Sequence, residues 1–233
     1  MKITSITNFS KVTILIFFFM AAFIACKKSN SGIPIIPIEA GLKANFGYKT
    51  GSYWIYKDSV SGATDSAYVY NYYLDSFYKG CVLMAGEPKF QGMNIIIGVS
   101  NGNPSDTEQW YLFLEDSTFS INMKNNRDST ESQLGFTLFK YPFRIGANGS
   151  SLGCEPSPDS SLTDIIPEVS LNNQSFTNAA KSDHSLSAWP HSRFPYNDCF
   201  YVNETAGMVK IVFNHPKDFV HRVLELQRYK IVR

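Results

Sequence analysis

The serine motif at residues 149–153 is the first place where the residue types suggest chemistry. Gly149, Ser151 and Gly153 match Gly-x-Ser-x-Gly, in which a nucleophilic serine stands on a tight turn between a strand and a helix. Pro156 and Pro158 follow directly and prevent a helix from forming there. We therefore expect a glycine–serine turn at this position and no catalytic residue.

The four histidines are the next candidates, because neutral imidazole is a common metal ligand. The spacings of His184 with His191 and of His215 with His221 place neither pair on one face of a helix or a strand. We expect exposed loop histidines, no metal and no cofactor. A metal site assembled in space from His184, His191, Asp183 or Asp198 remains the alternative.

Carboxylates suggest a third chemistry, the hydrolysis of glycans. That reaction needs two carboxyl groups about 5–10 Å apart. The candidates are Glu108, Glu115, Asp116, Asp198 and Glu204. No pair stands out among them in the sequence, and a carboxylate-dependent glycan hydrolase is the alternative function.

Three tyrosines alternate along one segment, at Tyr68, Tyr70 and Tyr72. In a strand they would share one face. Such a stripe is typical of a core or barrel lining, which is the interpretation we favour. As the alternative, the rings would face a ligand and stack against it.

The N-terminal segment has the features of a secretory signal peptide. Lys2 and Lys11 precede a mostly apolar run over 12–20, and small residues stand before Cys26. The apolar stretch 12–25 is shorter than the ~20 residues that span a bilayer. Phe23-Ile24-Ala25-Cys26 resembles a bacterial lipobox, which implies cleavage before Cys26 and a diacylglycerol on its sulfur. We expect a signal peptide at 1–25, a tether at 26–45 and one β-rich globular domain at 46–233.

The remaining cysteines fit an oxidising compartment. Cys154 and Cys199 lie in turn-rich sequence and form the predicted disulfide. Cys81 lies in a strand-like run and is expected to be a small buried hydrophobic residue.

The elements that must position these residues are predicted to be strands. Aromatic residues make up 15% of the chain and charged residues 18%, a composition that favours β-structure. Strand patterns occur at 52–58, 66–74, 80–84, 94–99, 109–115, 118–123, 133–139, 199–203, 208–213 and 222–232. We expect a mainly β fold, a single antiparallel curled sheet that forms an unclosed barrel or a sandwich. A long polar insertion is predicted at 146–198, in which only 160–169 and 176–184 have a helical character.

Both ends of the predicted domain resemble an uncharacterised group of Bacteroidota lipoproteins. The similarity lies in the lipobox at Cys26, in Gly51-Ser52-Tyr53-Trp54-Ile55-Tyr56, and in the closing segment 201–210 with its Gly-x-Val-Lys sequence. The resemblance implies a curled sheet like that of the lipoprotein carrier folds, and no activity. Lys27 and Lys28 after the cysteine imply the periplasmic side of the outer membrane. Ser59 and Ser66 follow aspartates, as in O-glycosylation sites of envelope proteins of that phylum.

The charge balance gives no indication of a nucleic-acid partner. The formal net charge is +1, and removing residues 1–25 with their two lysines leaves 19 basic and 20 acidic residues. We expect a lipid-anchored envelope protein with a non-enzymatic binding or structural role. Its partners would be the membrane, through Cys26, and an apolar or glycan ligand or another envelope protein.

Overall fold

A computed structural model describes residues 33–78, 88–100, 107–124, 134–149, 160–185, 197–215 and 220–233. Within the compact unit Ile35–Arg233 the described strands form one sheet, antiparallel except where β1 joins it. This sheet curls into a nearly closed barrel with one unsealed seam. The prediction of a mainly β, unclosed antiparallel sheet is confirmed.

The described chain contains thirteen strands and one short helix. The first half comprises β1 (Ile35–Ile36), α1 (Ala40–Phe46), β2 (Tyr53–Asp58), β3 (Thr64–Tyr78), β4 (Lys89–Ser100), β5 (Thr107–Glu115), β6 (Thr118–Lys124) and β7 (Leu134–Lys140). The second half comprises β8 (Gly146–Gly149), β9 (Ser160–Leu171), β10 (Gln174–Ser185), β11 (Asn197–Asn203), β12 (Gly207–His215) and β13 (Val220–Lys230).

Two meanders of six strands make up the barrel. Strands β2 to β7 pair in chain order, as do β8 to β13, and the pairing of β13 with β2 joins the two groups. The seam therefore lies between β7 on one side and β8 with β9 on the other. These strands are consecutive in the sequence, but β7 does not pair with β8 or β9 in the described sheet. Thr163 Oγ1 donates a hydrogen bond of 3.2 Å to Leu138 O across the seam. Pro167 lies on the part of β9 that β8 does not cover, a position that tolerates a residue without an N–H group.

The barrel interior is filled by aromatic and branched side chains, because alternate residues of each strand point inward. Its largest fully buried side chains are Trp54, Trp110, Tyr48, Tyr56, Phe46, Phe119, Phe139 and Phe200. Two of them are held by polar contacts as well as by packing. Trp54 Nε1 donates to Ala206 O at 2.7 Å, and Tyr56 Oη donates to Met208 O at 2.8 Å.

Helix α1 closes the barrel end where β2 begins and β13 finishes, which we call the capped end. Its N-cap is Glu39, whose carboxylate accepts from Leu42 N at 2.6 Å. Phe46 packs against the rings of Phe119 and Phe139 at centroid distances of 5.2 and 5.1 Å. Since Leu42 and Phe46 are fully buried, the folded unit begins at Ile35, earlier than the predicted boundary at Phe46.

The prediction of a long polar insertion at 146–198 is wrong for its described parts. They contain β8, β9, β10 and the start of β11, and the segments 160–169 and 176–184 are strands rather than helices. In β10 the inward positions include Ala180, Ser182 and His184. Because these residues are small or polar, the sequence lacks the alternation of large apolar and polar residues that indicates a strand. These three side chains lie progressively nearer the opposite end of the barrel, which we call the far end.

Candidate ligand groove

A groove of about 540 Å³ lies at the capped end, where turns from three parts of the chain meet. The start of β10, the turn between β11 and β12, and the end of β13 form its walls. The lining residues are Gln174, Ser175, Phe176, Thr177, Asn178, Asn203, Glu204, Thr205 and Tyr229. Most of these side chains carry hydroxyl or amide groups, so the groove is suited to a polar ligand.

Asn203 holds one wall of the groove in place. Its Oδ1 accepts hydrogen bonds from Thr205 N at 2.9 Å, Thr205 Oγ1 at 2.6 Å and Ala206 N at 3.2 Å. Its Nδ2 donates to Thr177 O at 2.8 Å, which ties the β11–β12 turn to β10. Arg233 reinforces the same turn, because its Nη2 donates to Glu204 O at 2.8 Å. The turn is therefore rigidly positioned.

The opposite wall is attached to β13 through side-chain amides. Asn172 and Asn173 both have positive φ, as the two-residue turn between β9 and β10 requires. Asn172 Nδ2 donates to Leu226 O at 3.2 Å, and Gln174 Nε2 donates to Gln227 O at 2.7 Å. These contacts fix the hairpin against a strand to which it is not paired in the sheet.

The floor of the groove contains two aromatic rings. Phe176 is buried, Tyr229 is half-buried, and their centroids lie 6.5 Å apart. Beside them, the side chains of Thr177, Asn178, Glu204 and Tyr229 make no hydrogen bond to the part of the chain that the structure describes. A hydroxyl, an amide, a carboxylate and a phenol thus remain available to a ligand, next to an aromatic surface.

The candidate carboxylates for hydrolysis are not brought together here. Glu204 is the one carboxylate among the residues that line the groove. Glu115 is buried at the end of β5, Asp116 stands in the following turn, and Asp198 is buried on β11 near the far end. The side chain of Glu108 lies outside the described residues. The two-carboxylate arrangement of a glycosidase is therefore absent from the described part of the groove.

His184 is the histidine that departs most from expectation. It lies on β10 with 4% of its surface exposed, so the prediction of an exposed loop residue is wrong for it. Its Nε2 is 2.8 Å from Ser182 Oγ, and Asp198 is its cross-strand partner on β11. Burial lowers the pKa of His184 to about 4, although Asp198 and Asp183 oppose this shift. Ser182 is fully buried and inaccessible as a nucleophile.

Metal binding finds no support in the described ranges, where no three His, Cys, Asp or Glu side chains are grouped closely enough to hold an ion. His221 is exposed on β13. His191 lies outside the described residues.

A buried charged cluster at the far end was not predicted from the sequence. Asp58 and Asp65 are 3% and 1% exposed, and Arg222 contacts both. Burial is the largest single effect on Asp58 and raises its pKa, but four opposing effects together hold the pKa below its usual value. These are hydrogen bonds from Ser61, Val60 and Val223, together with the charge of Arg222. Asp58 and Asp65 each precede a serine, and nothing in that local sequence indicates that both carboxylates meet one arginine from a distant strand.

The two serines of that pattern differ in exposure. Ser59 is exposed in the β2–β3 turn, and Ser66 is half-buried within β3. Their glycosylation remains a prediction.

The three tyrosines do not form a core lining, and they do not share one face. Tyr68, Tyr70 and Tyr72 are 44%, 43% and 37% exposed. A bulge at Tyr70 shifts the register, so that Val69 pairs with Ile97 but Asn71 pairs with Ile96. Tyr72 therefore shares the face of its partner Ile95, opposite to the face of Tyr68. Tyr68 and Tyr70 remain together on the outer face, with ring centroids 6.5 Å apart.

Cys199 has a free thiol on β11. Burial is the largest of the effects that raise its pKa, to about 12, and the neighbouring Asp183 acts in the same direction. The predicted partner Cys154 lies outside the described residues, as do Cys26, Cys81 and Ser151. The disulfide and the lipidation therefore stay predictions.

Searches against protein-family models, curated proteins and solved structures find no match to this chain. Among the described residues there is no helix with the length and apolar character needed to span a membrane.

Proposed function

We propose that this chain is a lipid-anchored cell-envelope protein that binds a glycan without cleaving it, in the groove at the capped end. The observation that carries the proposal is the pairing of an aromatic floor with uncommitted hydrogen-bonding groups. Sugars offer apolar ring faces and many hydroxyls, so they need both kinds of surface. The groove also resembles typical ligand sites in being concave and held by a rigid frame.

Binding is favoured over hydrolysis by the composition of the groove walls. Glu204 stands there without a second described carboxylate, whereas glycoside hydrolysis requires an acid and a base or nucleophile. A lone carboxylate among amides and hydroxyls is suited to accepting hydrogen bonds from sugar hydroxyls.

Glycan binding is tested with the chain from residue 26 onward, first on an array of bacterial envelope glycans and then by calorimetry with the strongest ligand. Asn178→Gly and Glu204→Gln each remove a ligand-facing group, and glycine retains the positive φ of position 178. We expect each variant to weaken binding by about tenfold, since a hydrogen bond to a charged or well-placed group is worth ~1–2 kcal/mol.

Tyr68→Ser is the matched control, because it removes an exposed aromatic ring on the outer face of β3. Binding should be unchanged in this variant. If Tyr68→Ser abolishes binding and the two groove variants do not, the site lies on the tyrosine face and the groove assignment is wrong. Release of shorter glycans by the wild type, lost in Glu204→Gln, would instead establish a hydrolase.

The lipid anchor has its own test in cells fed an alkyne fatty acid. The wild type should incorporate the label and fractionate with membranes, and Cys26→Ala should do neither. Label retained by the variant would contradict lipidation at this residue.

A further inference from the structure

Exposed apolar side chains gather on one projecting part of the sheet, at the capped end. Ile35, Tyr73 and Leu74 are 54%, 46% and 50% exposed, and Tyr72 is 37% exposed. Ile35, Tyr72 and Leu74 share one face of the sheet and Tyr73 lies on the other, so this part of the sheet exposes apolar groups on both sides. Exposed apolar groups of this size usually mark a contact surface. We call these four side chains the apolar rim.

The projection arises because β3 and β4 are longer than their neighbours. Strand β2 pairs with β3 only as far as Tyr68, while β4 continues to pair with β3 as far as Tyr78. Beyond the bulge, β3 is therefore an edge strand in the described structure. Strand β1 adds to β4 at Lys89, which brings Ile35 to the face that also carries Tyr72 and Leu74. Ile35 of the apolar rim is thus the residue at which the chain enters the folded unit.

Basic residues accumulate at the same end of the barrel. Its exposed cations are Lys43, Lys49, Lys140, Arg144, Arg228, Lys230 and Arg233, against the exposed acids Asp75 and Glu168. The half-buried acids Glu39, Asp116 and Glu204 and the buried Glu115 reduce this excess but do not reverse it. Since the whole chain has a net charge of only +1, its charge is distributed unevenly, with a positive capped end.

The length of chain before the folded unit limits how this end can be oriented. Ile35 lies nine positions after Cys26, and this length of chain spans at most ~30 Å when fully extended. A lipid on Cys26 would therefore keep the capped end close to the bilayer. Tyrosine favours the membrane–water interface, and Lys and Arg side chains are attracted to anionic lipid headgroups.

Building on the proposed anchoring at Cys26, we propose that the capped end itself docks on an anionic phospholipid surface. The apolar rim enters the headgroup region, and the surrounding Lys and Arg side chains pair with lipid phosphates. Docking orients the protein with its far end away from the bilayer.

The test uses the chain from residue 26 onward with Cys26→Ser, which contains the whole folded unit but cannot be lipidated. Flotation is measured with vesicles of equal parts phosphatidylcholine and phosphatidylglycerol, and with phosphatidylcholine alone. We expect binding to the mixed vesicles, weakened at least tenfold by added salt or by the absence of the anionic lipid. Failure to bind the mixed vesicles would overturn the proposal.

Two variants locate the surface, each with a matched control at the far end. Ile35→Ser with Leu74→Ser should weaken flotation at least tenfold, whereas Val60→Ser, which removes a side chain 56% exposed in the β2–β3 turn, should not. Lys49→Gln with Lys230→Gln should also weaken it, and Lys57→Gln, exposed near the far end of β2, should not. Equal losses in the controls would refute docking through this end.

The outcomes separate docking from the proposed function. Glycan calorimetry is done without vesicles, and fatty-acid labelling is done in cells. Either experiment can therefore succeed while flotation fails. If the protein instead dimerises in solution and Leu74→Ser makes it monomeric without any vesicle binding, the apolar rim is a protein interface and the membrane proposal is wrong.

Discussion

Removing Arg222 tests how the far end of the barrel is held together. Arg222 donates to Asp65 through Nη2, and its Nε lies 3.7 Å from Asp58 Oδ2. Asp65 is 1% exposed, and its Oδ1 has no hydrogen-bond partner among the residues that the structure describes. Substitution of Arg222 by methionine would therefore leave a buried carboxylate without its cation.

Breaking a buried ion pair by removing one partner costs ~3–5 kcal/mol. The side chain of Arg222 is 27% exposed, so water screens the pair partly and the lower figure applies. For a folded unit of about 200 residues, ~3 kcal/mol corresponds to a decrease in Tm of about 6–12 °C. Thermal unfolding followed by circular dichroism measures this change directly.

Two companion variants determine whether the cause is the unpaired charge. Arg228→Met removes an exposed arginine from the same strand and should leave Tm nearly unchanged. Asp65→Leu combined with Arg222→Met replaces the closer of the two ion pairs by apolar side chains and should recover part of the loss. Asp58 also loses its arginine in this variant, but it keeps its hydrogen bonds from Ser61, Val60 and Val223. If Arg222→Met unfolds at the same temperature as Arg228→Met, the pair does not stabilise the fold and the reasoning fails.

Three further predictions concern other buried groups. Gly207→Ala should unfold at a clearly lower temperature than Gly62→Ala: both glycines have positive φ, but a Cβ at Gly207 would lie 2.7 Å from Tyr48 Oη, and one at Gly62 would meet nothing within 4 Å. In the reduced protein, Cys199 should react with iodoacetamide at pH 8 only after unfolding, because its pKa of about 12 keeps the thiol protonated; rapid alkylation of Cys199 in the native, reduced protein would contradict this. The folded protein binds a proton at His184 only near pH 4, whereas the unfolded chain does so near pH 6.5. The free energy of unfolding should therefore decrease as the pH is lowered from 6.5 to 4, by on the order of 3 kcal/mol. In urea titrations, the free energy of unfolding of His184→Gln should depend less on pH over this range.

The N-terminal half of the sheet could be predicted from the sequence because its strands carry strong aromatic and β-branched patterns. Tyr53–Asp58 and Thr118–Lys124 lie close to the predicted segments. Two features there could not be predicted. Helix α1 is too short to show a helical period, and its buried residues Leu42 and Phe46 are isolated in the sequence. The bulge at Tyr70 adds one residue to β3, and alternation alone does not reveal such an insertion.

The predicted strands at 199–203, 208–213 and 222–232 are present, but those within 146–198 could not be predicted, for a physical reason that the structure makes clear. Inward positions of β9 and β10 near the far end carry Thr163, Ser182 and His184, so the apolar period of two is lost. The groove was missed because its residues belong to turns that are distant in the sequence. Asn178, Asn203 and Thr205 are typical turn residues, and only the pairing of β10 to β13 brings them together near Tyr229.

The location of the seam has a consequence for the order in which the chain folds. Contact between β2 and β13 joins the two ends of the folded unit, and Lys49 N donates to Val232 O beside it. This pairing must close a loop of nearly the whole chain, whereas the other neighbours along the main path of the sheet are also neighbours in sequence. A circular permutant of the folded unit that links Arg233 to Ile35 and opens between β7 and β8 would make every pairing on that path local. Its lower contact order should make it fold faster than the natural chain.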